Sequence, residues 1–136
     1  MEERLRLILA ELESAIADFE GALSIEDRGL DPIVVDAVHN GQAQKFEFTT
    51  ELFWKAVKVF LYSEHGFDLS SPKNVVKKYF ELGYVDYEKC DRLLRALDIR
   101  NSLSHVYNKS HFVALYEEIR GFGGFFGKVA EGMRSR

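Results

Sequence analysis

One segment, residues 86–107, decides how the chain folds, and it reads DYEKCDRLLRALDIRNSLSHVY. Its apolar side chains recur at helical spacing, which predicts a helix with one buried stripe. The stripe consists of Cys90, Leu93, Leu94 and Leu97. The next positions on it are Arg100 and Asn101. A guanidinium is costly to bury unless it is paired or faces a cleft or a partner, so the pattern predicts a site at the end of this helix.

The spacing of Arg100 and His105 limits what the two side chains can do together. They are five positions apart, and an ideal helix separates such positions by roughly 140°. The two side chains can contact one phosphate only if the helix unwinds between them, or if a second chain contributes one of the two. We therefore expect the helix to end near residues 103–105, or the site to lie between two chains.

Composition places the chain among single-domain helical proteins. Its 136 residues suit one domain, which we expect to span residues 1–136. Only two prolines and few alternating runs favour an all-α fold. The single cysteine, Cys90, leaves no internal disulfide, and neither a secretory signal pattern nor a membrane-length apolar run is present. We expect a cytoplasmic protein without a membrane partner, and the net charge of −4 argues against a broadly basic nucleic-acid surface.

Apolar periodicity and capping signals predict four long helices and one short one. The predicted spans are residues 2–23, 32–63, 72–82, 86 to about 103–105, and 110–132. The second helix is long, and we expect a bend or break near Asn40-Gly41. Gly121, Gly124 and Gly127 indicate close packing or a frayed end in the last helix, because the lysine and hydroxyl of a phosphate loop are missing. These elements favour an antiparallel up-and-down four-helix bundle with one short extra helix.

The second half of the second helix is apolar on more than one side, which is typical of a central or shared helix. Five polar or aromatic residues fall near one of its faces. They are Glu47, Glu51, Trp54, Lys55 and Lys58. This face could bind a polar ligand or a partner. The simpler alternative is a solvated strip with ion pairing between positions i and i+4.

The chemistry of Arg100 and His105 is compatible with RNA cleavage. An imidazole can act as a general acid or base near neutral pH, and a guanidinium can bind a phosphate. The alternative is a structural pair at a helix C-terminus, where cations are favoured. Tyr107 could accept a nucleotidyl group if another enzyme activated its phenol. The simpler alternative, which the residue alone favours, is an ordinary half-buried tyrosine. The histidines lack metal-ligand spacing, so we expect no metal and no cofactor.

Two segments together resemble the nucleotidyltransferase substrate-binding proteins, a branch of the HEPN superfamily. One is QKFEFTTELFWK at residues 44–55, and the other is RNSLSHVY at residues 100–107. Ser71-Pro72-Lys73 between them also fits, and the likeness extends from about residue 5 to 120. The resemblance implies an up-and-down four-helix bundle that is usually a homodimer. It also implies a separately encoded minimal nucleotidyltransferase as partner, because the motif of that enzyme is absent from this chain.

The resemblance also implies roles for individual residues. Arg100 and His105 match the ribonuclease motif of HEPN toxins, and Asn101 matches the polar residue that follows the arginine. Tyr107 matches the tyrosine that is nucleotidylated when the antitoxin silences the toxin. The first hypothesis is therefore a dimeric ribonuclease toxin that acts on RNA. The second is a non-catalytic subunit that presents a substrate to the nucleotidyltransferase through the Glu47–Lys58 face and the surroundings of Arg100. The third is a plain dimerisation module.

Overall fold

The computed structural model describes residues 2–134, which form six α-helices and no strand. The helices are α1 (Glu3–Leu23), α2 (Pro32–His65), α3 (Pro72–Glu81), α4 (Tyr87–Leu103), α5 (Lys109–Arg120) and α6 (Phe125–Arg134). The all-α prediction is confirmed, and the helices pack as a bundle in which α3 is the short helix predicted between α2 and α4. None of the helices in this part of the chain combines the length and the apolarity needed to cross a bilayer.

The bundle is built around α2. Its 34 residues give it a length of about 51 Å, and it packs against each of the other five helices. Its buried phenylalanines form the centre of the core, where Phe46 packs edge-on against Phe19 of α1 with ring centroids 5.9 Å apart. Burying such a ring stabilises the fold by roughly 1.5–3 kcal/mol. Of the two predicted alternatives, a central helix or one shared with another chain, the contacts within this chain show the first.

α2 is one uninterrupted helix at the position where the sequence predicted a bend or a break. Asn40 lies inside the helix, and its side-chain amide donates to the carbonyl of Asp36 at 2.8 Å. The next residue but one, Gln42, is buried and donates to the carbonyl of Ala22 at 2.7 Å. This contact with α1 fixes the backbone just after Gly41, so the glycine does not break the helix.

The predicted last helix, residues 110–132, is wrong as a single element, because a turn divides it into α5 and α6. Gly124 has a left-handed backbone with a φ of 77°, and its N–H donates to a Glu20 carboxylate oxygen of α1 at 2.7 Å. From α4, Arg92 donates to the carbonyl of Gly121 at 2.8 Å and lies over the Phe122 ring. Contacts from two other helices therefore hold the turn in place.

Capping residues mark the starts of α4 and α5. Asp86 caps α4 by accepting from the backbone N–H of Lys89 at 2.8 Å. α4 ends at Leu103, within the predicted range. Residues 104–108 then connect it to α5, which Asn108 caps by accepting from the N–H of His111 at 2.8 Å. Arg100 and His105 thus lie on either side of a helix end.

Candidate functional site

Arg100 lies in the last turn of α4, and its side chain is only 16% exposed. One terminal nitrogen, Nη1, donates to Oε1 of Glu51 on α2. Its Nε and Nη2 donate to Oδ1 of the adjacent Asn101 at 3.3 and 2.8 Å. The guanidinium that interrupts the apolar stripe is therefore paired, as burial of a charge requires.

Glu51 is the centre of the polar network around Arg100. Its Oε1 also accepts from the indole N–H of Trp54 at 3.0 Å, and its Oε2 lies 3.3 Å from the ammonium of Lys55. Burial raises the pKa of the Glu51 carboxyl, but the Trp54 hydrogen bond and the charges of Arg100 and Lys55 outweigh it, so that the pKa is lowered. Glu51 is consequently an anion at neutral pH.

The network opens on a cleft of about 450 Å³ between α2 and the end of α4, which we call the Arg100 cleft. It is lined by Gln44, Glu47, Phe48, Glu51, Arg100, Asn101 and Ser104. Most of these side chains carry hydrogen-bonding groups, whereas Phe48 supplies an aromatic surface that is 60% exposed. The cleft can therefore bind a polar ligand that also has an apolar face.

A second cleft of about 690 Å³ adjoins the first, and we call it the Tyr107 cleft. The two clefts share Gln44 and Glu47 as lining residues. The other residues that line the Tyr107 cleft are Asp36, Asn40, Ala43, Leu103, Val106, Tyr107, Asn108, Lys109 and Phe112. Tyr107 itself is 85% exposed. Together the clefts form one groove along α2, bounded by the end of α4 and the start of α5.

His105 does not join Arg100 within one chain. The imidazole is exposed and lines neither cleft. The backbone N–H of His105 donates to the carbonyl of Ser102 at 2.9 Å, in the turn that ends α4. Across residues 2–134, no hydrogen bond or ion pair links its side chain to Arg100. The two side chains of the predicted ribonuclease motif are thus separated by the end of the helix.

The predicted face on α2 is divided between two regions. Glu47 lines both clefts, and Glu51, Trp54 and Lys55 belong to the network around Arg100. Lys58 instead donates to the carbonyl of Leu69 at 2.6 Å, in the connection between α2 and α3. Lys58 therefore lies with that connection, outside both clefts.

Three lining residues of the Arg100 cleft were not singled out as site residues from the sequence: Gln44, Phe48 and Ser104. Gln44 and Phe48 lie at helical spacing from Glu47 and Glu51, so the same face could have identified them. Ser104 gave no comparable signal, because its position depends on where α4 ends. In the part of the chain that is described, no three His, Cys, Asp or Glu side chains are grouped so that they could hold a metal ion.

The fold and the groove define a class: an all-helical bundle protein with a charge-paired cleft at a helix end. Residues 7–135 match the family model described as nucleotidyltransferase substrate binding protein like, and the chain belongs to this family. It is also similar to a crystal structure of a protein from Thermus thermophilus, with a TM-score of 0.78 and 27% sequence identity. That similarity covers 90% of this chain and 98% of the other. No curated protein sequence matches this chain.

Proposed function

We propose that this chain is the helical partner subunit of a separately encoded nucleotidyltransferase and that it holds a substrate of that enzyme in the Arg100 cleft. The family assignment supports the partnership. The observation that supports the substrate site is the partly buried Arg100–Glu51 pair, because it opens on a cleft lined by several hydrogen-bonding groups. In this arrangement the chain positions a substrate and the other subunit transfers the nucleotidyl group.

In a single chain, the charges in the Arg100 cleft favour binding of a small polar ligand and disfavour cleavage of RNA. Glu47 and Glu51 place two carboxylates beside one guanidinium, and they repel the phosphates of a nucleic acid. His105, the candidate acid or base, lies outside the cleft. A ligand with several hydroxyl or amine groups would find acceptors at Gln44 and the carboxylates.

Reconstitution with the separately encoded nucleotidyltransferase proposed as the partner tests this proposal. We expect the two proteins to elute as one complex in size-exclusion chromatography, and nucleotidyl transfer to a bound substrate to require this chain. Arg100→Ala should lower that transfer at least about tenfold, because it removes a charged group from the cleft. The complex itself should persist.

Lys73→Ala is the matched control, because Lys73 pairs with Asp98 at 2.9 Å and lines neither cleft. It should transfer at the native rate. Circular dichroism must show that both variants are folded. Failure of the two proteins to associate, or native transfer by Arg100→Ala, would contradict the proposal.

A HEPN-type ribonuclease toxin is the second candidate, and the end of α4 at Leu103 favours it. A homodimer that joins two such helix ends could bring His105 of one chain to Arg100 of the other. Tyr107, at 85% exposure, is accessible to a modifying enzyme. The phenol would attack the α-phosphate of a nucleoside triphosphate and release pyrophosphate, adding a bulky anion beside the groove.

RNA cleavage assays and intact mass spectrometry test this second candidate. The toxin function requires cleavage of RNA by the purified chain and loss of that activity in His105→Ala. Incubation with the partner, ATP and magnesium should add one nucleotidyl group, and Tyr107→Phe should prevent the addition. Tyr87→Phe is the control, since Tyr87 is 73% exposed and lies at the start of α4. An absence of cleavage, or a label at another residue, would exclude this candidate.

A further inference from the structure

We propose that Glu51 is a specificity-determining residue that occupies Arg100 as an internal anion, so that the cleft excludes simple anions unless Glu51 is displaced. The inference rests on the proposed function, because it concerns the same cleft. The Glu51 carboxylate occupies the position on the guanidinium that a phosphate or carboxylate group of a ligand would otherwise take.

The hydrogen bonds of Arg100 show that its guanidinium is partly occupied, with three of its five N–H groups donating to acceptors within residues 2–134. All three nitrogens have an acceptor, with Nη1 bound to Glu51 and with Nε and Nη2 bound to Asn101. The Glu51 side chain is 38% exposed whereas that of Arg100 is 16% exposed. The cleft thus presents the carboxylate more than the guanidinium, and an approaching anion meets negative charge first.

The other contacts of Glu51 allow it to leave Arg100 without becoming an unpaired buried charge. Lys55 lies 3.3 Å from Oε2, the oxygen that Arg100 does not use. Trp54 donates to Oε1 at 3.0 Å. If a ligand anion replaces Oε1 on the guanidinium, the ammonium of Lys55 can still neutralise the carboxylate. The exchange keeps both charges paired, which is what a displaceable internal ligand requires.

Glu47 offers a matched comparison within the same cleft. It lies one turn before Glu51 on α2 and also lines the Arg100 cleft. Within residues 2–134 its side chain makes no hydrogen bond or ion pair, and so it does not occupy Arg100. Removing its charge changes only the potential of the cleft. Removing the charge of Glu51 also replaces the charge-assisted hydrogen bond to Arg100 with a weaker neutral one, which an anion can displace more easily.

Titration with inorganic phosphate, followed by NMR at the backbone amides of Asn101 and Ser104, tests the proposal. The proteins are the full chain and its Glu51→Gln and Glu47→Gln variants, in which the amide keeps the size of the side chain. We expect Glu51→Gln to bind phosphate about tenfold more tightly than the native chain. Glu47→Gln should change the affinity less than about twofold at physiological salt. Adding Arg100→Ala to Glu51→Gln should abolish the gain.

Three results would overturn the proposal. Equal gains in the two glutamine variants would show a general charge effect without occupation of Arg100. Weaker binding by Glu51→Gln would show that Glu51 positions the guanidinium for anions instead of excluding them. An unchanged phosphate affinity in Glu51→Gln would show that the Arg100–Glu51 pair does not limit the access of anions to the guanidinium. Association with the nucleotidyltransferase is measured without phosphate, so either proposal can fail while the other stands.

Discussion

At the scale of single residues, the pair of Arg95 and Glu118 shows how charge fixes the position of one helix against another. Arg95 of α4 donates from Nε and Nη2 to the two carboxylate oxygens of Glu118 on α5, at 2.8 and 2.5 Å. These hydrogen bonds, together with the charge of Arg95, lower the pKa of Glu118 even though burial opposes the shift. Both side chains remain partly exposed, so water weakens the pair. Its main effect is to fix the register of α5 beside the helix that carries Arg100.

The lowered pKa of Glu118 predicts a pH dependence of stability. Its ionised form is favoured by folding, so its contribution is present above the unfolded pKa of about 4.5 and is lost as the pH falls through the folded value. Glu118→Gln should be slightly less stable than the native chain at pH 7. It should also lose less stability between pH 7 and pH 3. Urea unfolding at the two pH values measures both effects.

Glu117→Gln is the control, because Glu117 lies next to Glu118 but pairs within α5, with Arg120 at 3.8 Å. We expect its acid-induced loss of stability to stay close to the native value. If Glu118→Gln lost as much stability in acid as the native chain, the Arg95 pair would not contribute to the pH dependence.

The sequence predicted the position of Arg100 but not its partner. The apolar stripe that ends at Arg100 predicted a paired or cleft-facing guanidinium, and the structure shows both. Glu51 was recognised on a polar face of α2, yet nothing local linked it to a residue 49 positions away. That link depends on how α2 and α4 pack, which periodicity within each helix cannot give.

At the scale of elements, the division between α5 and α6 shows where periodicity misleads. Phe122 and Phe126 are buried and keep the helical spacing of α5, so the apolar pattern continues across the turn. The turn is fixed by Glu20 from α1 and Arg92 from α4, both distant in sequence. Tertiary contacts therefore decided whether the helix continues or breaks. Here they favour a break, whereas at Gly41 they favour a continuous helix.

Two glycines of this segment predict opposite effects of the same substitution. Gly124 has a φ of 77°, which is strained for alanine, so Gly124→Ala should lower the free energy of unfolding by about 1–2 kcal/mol. Gly127 lies inside α6, and an added Cβ there meets nothing within 4 Å. Gly127→Ala should raise stability by about 0.5 kcal/mol. Urea unfolding of both variants measures whether each substitution lowers or raises the free energy of unfolding.

Steric clash cannot explain a loss of stability in Gly124→Ala, because an added Cβ at this position also meets nothing within 4 Å. The comparison therefore isolates backbone conformation. A Gly124→Ala variant as stable as the native chain would show that the turn can relax, for example by letting α5 and α6 merge.

At the scale of the whole molecule, the class of fold was predictable because its signals are local. Apolar stripes and capping signals identified the helices, and in the structure Ser71 and Asp86 cap α3 and α4. The groove was not predictable to the same degree. Its walls come from α2, the end of α4 and the start of α5, so its shape exists only after the helices pack.

The central position of α2 has a practical consequence for finding the natural ligand. The same helix that packs against all the others also lines both clefts. A compound that binds to its exposed face should therefore delay melting of the entire protein and not only of a peripheral segment. Screening small molecules for a raised Tm is thus a direct route to the proposed substrate, even before the proposed partner subunit has been purified.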